Sequence, residues 1–235
     1  MTQLPAAVLW DMDGTLVDTE PYWMAAETPL VESFGGTWTH EQALTLVGRG
    51  LEDSARILQS AGVAMGVTEI IDHLTEEVRR QLVTEGVPFR PGARELLKSL
   101  RASGLRTALV TMSMRRMAED IVALIDFPAF DLIVAGDDVE RPKPHPDPYL
   151  QASRQLGVDP ASVVALEDSP TGLRSAVAAG VVTIGIPHIV ALDGLGAHEL
   201  WPTLSDRTAA DVADVFAVHG TAGRRDEVAA SEAQA

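Results

Sequence analysis

The chain contains no cysteine in 235 residues. That removes disulfide frameworks, thiolate metal sites and a cysteine nucleophile together. Cations are scarce as well: 18 lysines and arginines stand against 34 acids, for a formal net charge of −16. Nucleic acid and anionic membrane surfaces both require basic patches, so neither is an expected partner. No apolar run approaches the roughly 20 residues of a membrane-spanning helix. Met1-Thr2-Gln3-Leu4-Pro5 lacks the basic start of a secretory signal, and the expected location is the cytoplasm. Neither G-x-x-x-x-G-K-S/T nor G-x-G-x-x-G occurs, which excludes the P-loop and the dinucleotide fingerprint. The histidines form no pair four residues apart, so a helical zinc site is not expected either. No internal repeat is visible.

What is present is an alternation. Five apolar runs of strand length, Ala6–Trp10, Arg106–Thr111, Leu132–Gly136, Val163–Leu166 and Val181–Ile186, are rich in Val, Leu and Ile without strict alternation. Strands buried on both faces read this way. Helix-length segments lie between them: Ala93–Ser103, Met114–Ile125, Asp147–Leu156 and Pro170–Ala179, three of them closed by Gly104, Gly157 and Gly180. Ser169-Pro170 is a helix start, with serine as cap and proline at the first helical position. The expected fold is α/β, a doubly wound parallel sheet of Rossmann-like form. Between the first strand and Arg106 there is far more chain than one crossover needs. Pro21–Phe34, His40–Ser60 and Thr68–Thr84 read as helices, so residues 20–88 are expected to form an all-helical cap inserted into a discontinuous core of 1–19 and 89–218. Hinges are expected near Asp18–Pro21 and Gly86–Pro91. Residues 219–235 are small and polar without periodicity and are expected to be disordered.

Four signals fall at strand ends, where ligands bind in such folds. Asp11-Met12-Asp13-Gly14-Thr15 follows the first strand. Carboxylates two apart on a strand point the same way, and like charges that close need a cation or a proton to offset them. Asp11 suits a nucleophile that accepts a phosphoryl group. Asp13 suits a general acid that then becomes a base. Thr111 offers a hydroxyl to a phosphoryl oxygen. Lys143 stands in Arg141-Pro142-Lys143-Pro144-His145-Pro146-Asp147-Pro148, a proline-stiffened loop that presents its ammonium to a phosphate and to Asp11. Glu167-Asp168 ends the fourth strand and completes an all-oxygen site suited to Mg²⁺.

Together, Asp11-x-Asp13-Gly14-Thr15, Thr111, Lys143 and Glu167-Asp168 resemble the four motifs of the haloacid dehalogenase superfamily. The insert directly after the first motif is similar to subfamily I, the branch of β-phosphoglucomutases and small-molecule phosphatases. The resemblance implies Asp11 as nucleophile, Asp13 as acid and base, and Thr111, Met112 and Lys143 as phosphate-binding residues. It implies Mg²⁺ held by Asp11, the Asp13 carbonyl and Asp168, with Glu167 in or beside that shell. Where β-phosphoglucomutases carry a histidine after the Asp-Thr pair, this chain has Trp23; where they carry a Ser-Arg pair for a distal phosphate, it has Gly50 and Leu51. The expected activity is therefore hydrolysis of a small phosphorylated metabolite, a sugar or polyol phosphate. The alternatives are a phosphosugar mutase and a non-catalytic binding module on the same fold. Trp23, Trp38 and Arg49 are candidates for substrate choice. A monomer is expected, with a dimer as the alternative.

Overall fold

In the computed structural model, which describes residues 4–220, six parallel strands form one sheet in the order β3-β2-β1-β4-β5-β6. They are β1 (Ala7–Trp10), β2 (Arg106–Val110), β3 (Leu132–Val134), β4 (Val163–Glu167), β5 (Val182–Gly185) and β6 (Glu199–Leu200). The central strand β1 is paired on both sides, Trp10 lying opposite Leu109 of β2 and Leu166 of β4. Those registers bring the strand ends, which carry Asp11, Thr111 and Glu167-Asp168, to one end of the sheet. The alternating strand residues feed two layers. Ala7 and Leu9 pack with Ala108, Ala165 and Tyr149, while Val8 and Trp10 join a larger cluster with Leu96, Leu97 and Phe216. Both faces are therefore covered, as a parallel sheet requires.

Helices α5 (Ala93–Ala102), α6 (Arg115–Ala123), α7 (Asp147–Leu156) and α8 (Pro170–Ala178) connect the strands, and α9 (Ala209–His219) packs back on the sheet. The five expected strands and four connecting helices are present with ends shifted by at most two residues, and α7 has the expected bounds. The sixth strand and α9 had no expectation attached. Ser169 does cap α8, accepting from the Gly172 amide at 3.0 Å.

Between β1 and α5 stand four helices: α1 (Glu20–Ser33), α2 (His40–Leu44), α3 (Leu51–Ser60) and α4 (Val67–Glu85). One expectation fails here: His40–Ser60 is not one helix. The chain leaves α2 after Leu44, and Gly48 takes a left-handed φ of 71° that a continuing helix does not permit. Gly50, extended, then starts α3. The resulting loop, 45–50, reaches the sheet's carboxyl edge, where the Gly48 carbonyl accepts from Thr171 Oγ1 at 2.6 Å. The chain crosses into and out of this helical insert side by side: Asp18 N donates to Pro88 O, and Arg90 N to Leu16 O. Of the expected tail, 221–235 lies outside the described residues, and α9 runs one residue past the expected boundary of 218.

Candidate active site

The turn after β1 is set by Gly14, whose φ of +90° is open to glycine and strained for other residues. A Cβ there would lie 2.0 Å from Asp168 Oδ2, so the turn also needs glycine for space. This close approach seats the Asp11 turn against the end of β4. Thr15 Oγ1 donates to Asp168 Oδ1 at 3.2 Å.

Asp11, Glu167 and Asp168 each direct a carboxylate oxygen into one cluster less than 4.8 Å across. Lys143 Nζ reaches Asp11 Oδ1 at 2.6 Å, Glu167 Oε1 at 2.7 Å and the Val110 carbonyl at 2.9 Å. Tyr149 hydroxyl donates to the same Glu167 oxygen at 2.5 Å. Three buried carboxylates thus face one ammonium, and the balance shows in their proton affinities. Burial raises the Asp11 carboxyl to about 7 although Lys143 pulls it down. Asp168 is pushed well above the usual carboxylate range by burial and by Asp11 and Glu167. Burial works against the charge on Lys143, yet the two carboxylates outweigh it and hold its pKa above the ordinary lysine value. Burial and Glu167 keep the Tyr149 phenol protonated far into the alkaline range.

Asp13 is held separately. Ser113 Oγ donates to its Oδ2 at 2.7 Å, Thr111 Oγ1 lies 3.4 Å from the same oxygen, and Thr19 at the start of the insert donates to Oδ1. The two acids of the motif thus occupy different surroundings. Asp11 lies among charges, and Asp13 lies in a ring of hydroxyls.

Of the residues expected at the site, Asp11, Asp13, Thr111, Met112, Lys143 and Asp168 line one cavity of about 840 Å³, counting its open mouth. Glu167 does not line it; fully buried, it stands behind Lys143. Trp23 and Arg49 line the cavity and Trp38 does not, although Trp38 Nε1 donates to the cavity residue Glu27 at 3.0 Å. Sequence reasoning passed over Tyr149, Thr19, Glu20 and Glu27. The last two had a legible signal, two acids seven apart on the face of α1 that also carries Trp23.

Residues 8–186 match the family model described as haloacid dehalogenase-like hydrolase. The chain belongs to that family. Among haloacid dehalogenase-like relatives, it is 33% identical over 184 residues to a phosphorylated carbohydrates phosphatase of Thermotoga maritima, covering 77% of this chain and 85% of the relative. It is 31% identical over 185 residues to hexitol phosphatase B of Escherichia coli, covering 77% and 83%. A solved structure of a single-residue variant of CbbY from Rhodobacter sphaeroides, in complex with xylulose 1,5-bisphosphate, superposes with a TM-score of 0.79 at 30% identity. That superposition covers 86% of this chain and 96% of CbbY. All-oxygen clusters of this kind suit hard cations. The excess of carboxylates over ammonium is the local observation that a metal ion fits here.

Proposed function

We propose that this haloacid dehalogenase-like hydrolase is a Mg²⁺-dependent phosphatase of small phosphomonoesters, a sugar or polyol phosphate, acting through an aspartyl-phosphate. The observation that carries the reading is the separation of the two motif acids, one beside Lys143 and the acidic cluster, the other among hydroxyls. Asp11, Asp168 and the Asp13 carbonyl would hold the ion, with Glu167 bracing Lys143 beside it. The ion supplies positive charge to the phosphoryl oxygens and to the crowded carboxylates. Lys143 orients Asp11 through a contact of 2.6 Å and adds its own charge.

Asp11 attacks phosphorus as the ester P–O bond breaks, and Asp13 gives its proton to the leaving oxygen. Asp13, now anionic, takes a proton from water that attacks the aspartyl-phosphate. The water oxygen bonds to phosphorus, the Asp11–phosphorus bond breaks, and phosphate leaves. Thr19, Ser113 and Thr111 aim the Asp13 carboxyl in both steps. Thr111, Met112 and Lys143 border the space for the phosphoryl group. Leu51, lining the cavity where mutases place an arginine for a second phosphate, supports hydrolysis over isomerisation.

Replacing Asp11→Asn is expected to cut p-nitrophenyl phosphate turnover with Mg²⁺ by at least about a thousandfold, with circular dichroism unchanged. Turnover at the wild-type rate would show that Asp11 is not the nucleophile.

A further inference from the structure

One face of α1 has a composition that packing does not explain. Glu20, Trp23 and Glu27 fall three and four residues apart, on a single stripe, and all three line the cavity above Asp11 and Asp13. Glu27 is 5% exposed. Its Oε2 accepts from Trp38 Nε1, and it has no cationic partner among the described residues. The Glu20 carboxyl, partly buried, has neither a hydrogen bond nor an ion pair among the described residues. Such groups are costly to bury without partners. The cations that line the cavity are two. Lys143 is engaged by Asp11 and Glu167, and Arg49 is exposed at the rim with its Nε on the Thr45 carbonyl. The wall that meets the far end of a substrate therefore offers hydrogen-bonding oxygens and apolar surface, Trp23 and Leu51, with no buried cation.

We infer that Glu20 and Glu27 set the substrate class of this site. They receive the hydroxyl groups of an uncharged polyol or sugar chain and reject phosphomonoesters whose far end is a carboxylate or a second phosphate. A hydroxyl gives Glu20 the donor it lacks and Glu27 a second one beside Trp38, while its carbon chain covers Trp23 and Leu51. A distal anion would lose its water against two carboxyl groups, with only the exposed Arg49 at the rim to offset it. Burial lifts the Glu27 carboxyl to about 7 and, with Asp13 and Glu27 nearby, the Glu20 carboxyl to about 8, which suits neutral hydroxyl partners better than an ammonium, and each repels an anion once ionised. The inference rests on the phosphatase reading and divides the relatives named above: it places this chain's substrates with hexitol phosphates and away from bisphosphates.

The test is kcat/KM with Mg²⁺ at pH 9, where both carboxyls are ionised, for sorbitol 6-phosphate, glucose 6-phosphate, glucosamine 6-phosphate, phosphoglycolate, xylulose 1,5-bisphosphate and p-nitrophenyl phosphate. Sorbitol 6-phosphate is expected to exceed phosphoglycolate and the bisphosphate by at least about tenfold. In Glu20→Gln and Glu27→Gln that ratio is expected to shrink at least about fivefold, because an amide no longer repels the anion. The amide introduced by Glu27→Gln can still accept from Trp38, and thermal melts report whether each variant folds. Three results would overturn the inference: phosphoglycolate or the bisphosphate equalling sorbitol 6-phosphate in the wild type, unchanged ratios in both folded variants, or a tenfold preference for glucosamine 6-phosphate over glucose 6-phosphate. Failure to hydrolyse any compound, p-nitrophenyl phosphate included, would instead remove the phosphatase reading and the inference with it.

Discussion

Glu27 lends itself to a measurement that needs no substrate. Its carboxyl, desolvated in the insert, rises from the ordinary 4.5 to about 7 despite the hydrogen bond from Trp38. The folded protein therefore keeps this proton to higher pH than the unfolded chain does. The stability so contributed is fully present below pH 4.5 and is lost as pH climbs towards 7, since native molecules bind more protons across that window. At ~1.4 kcal/mol per pH unit, a rise from 4.5 to about 7 corresponds to about 3 kcal/mol. Glu27→Gln has no proton to lose there, and its side-chain oxygen can still accept from Trp38. Thermal unfolding of both proteins in chelator, from pH 4.5 to 7.5, isolates the effect, because every other group titrates in both. The Tm of Glu27→Gln relative to wild type is expected to gain roughly 6–12 °C between the ends of that range. A difference that stays within about 2 °C throughout would mean that Glu27 ionises as a solvated carboxylate does, and the account of α1 would fail.

Two further outcomes follow from close packing and surface charge. A Cβ on Gly172 would lie 1.9 Å from Glu167 Oε2, and Glu167 is pinned by Lys143 and Tyr149; Gly172→Ala is expected to cost about 1–3 kcal/mol and to lower kcat more than tenfold, and wild-type kcat would refute the role given to Glu167. Arg116 of α6 pairs with Asp72 of α4 at 2.6 Å, and Arg79 of α4 with Asp120 of α6 at 2.5 Å. Replacing both arginines with methionine is expected to cost about 1–2 kcal/mol in low salt and almost nothing in ~1 M NaCl, and denaturant titrations showing a salt-independent loss would contradict an ionic origin.

The core was legible because five of the six parallel strands announce themselves as largely apolar runs, and the glycines after α5, α7 and α8 end those helices where expected. β6 was not legible: two residues, Glu199 and Leu200, carry no periodicity, and they become a strand only because β5 offers an edge to pair with. The split of His40–Ser60 was written in Gly48 and Gly50, which are poor helix interiors. In the active site the residues next to strand ends were readable, because topology alone fixes where they point. Tyr149 was not, since its reach to Glu167 spans 18 positions and depends on how α7 packs against the sheet. Glu20 and Glu27 lie between these cases, visible as misplaced charge but without a purpose until the cavity is seen.

The paired crossings have a consequence for timing. Val17 and Phe89 form an antiparallel bridge, flanked by the bonds from Asp18 to Pro88 and from Arg90 to Leu16. Two strings tied together in this way resist twisting and sideways sliding, so any movement of the four helices above would be confined to rotation about a single axis, like a door on one pin. Thr19 sits on the first residue beyond that pin, with its hydroxyl on Asp13. An outward rotation about that axis would carry the hydroxyl off Asp13, and the proposed proton donor would lose its aim. Admitting a substrate and disarming the acid would then be one movement, and the acid would be aimed again only once the door had closed on what came in.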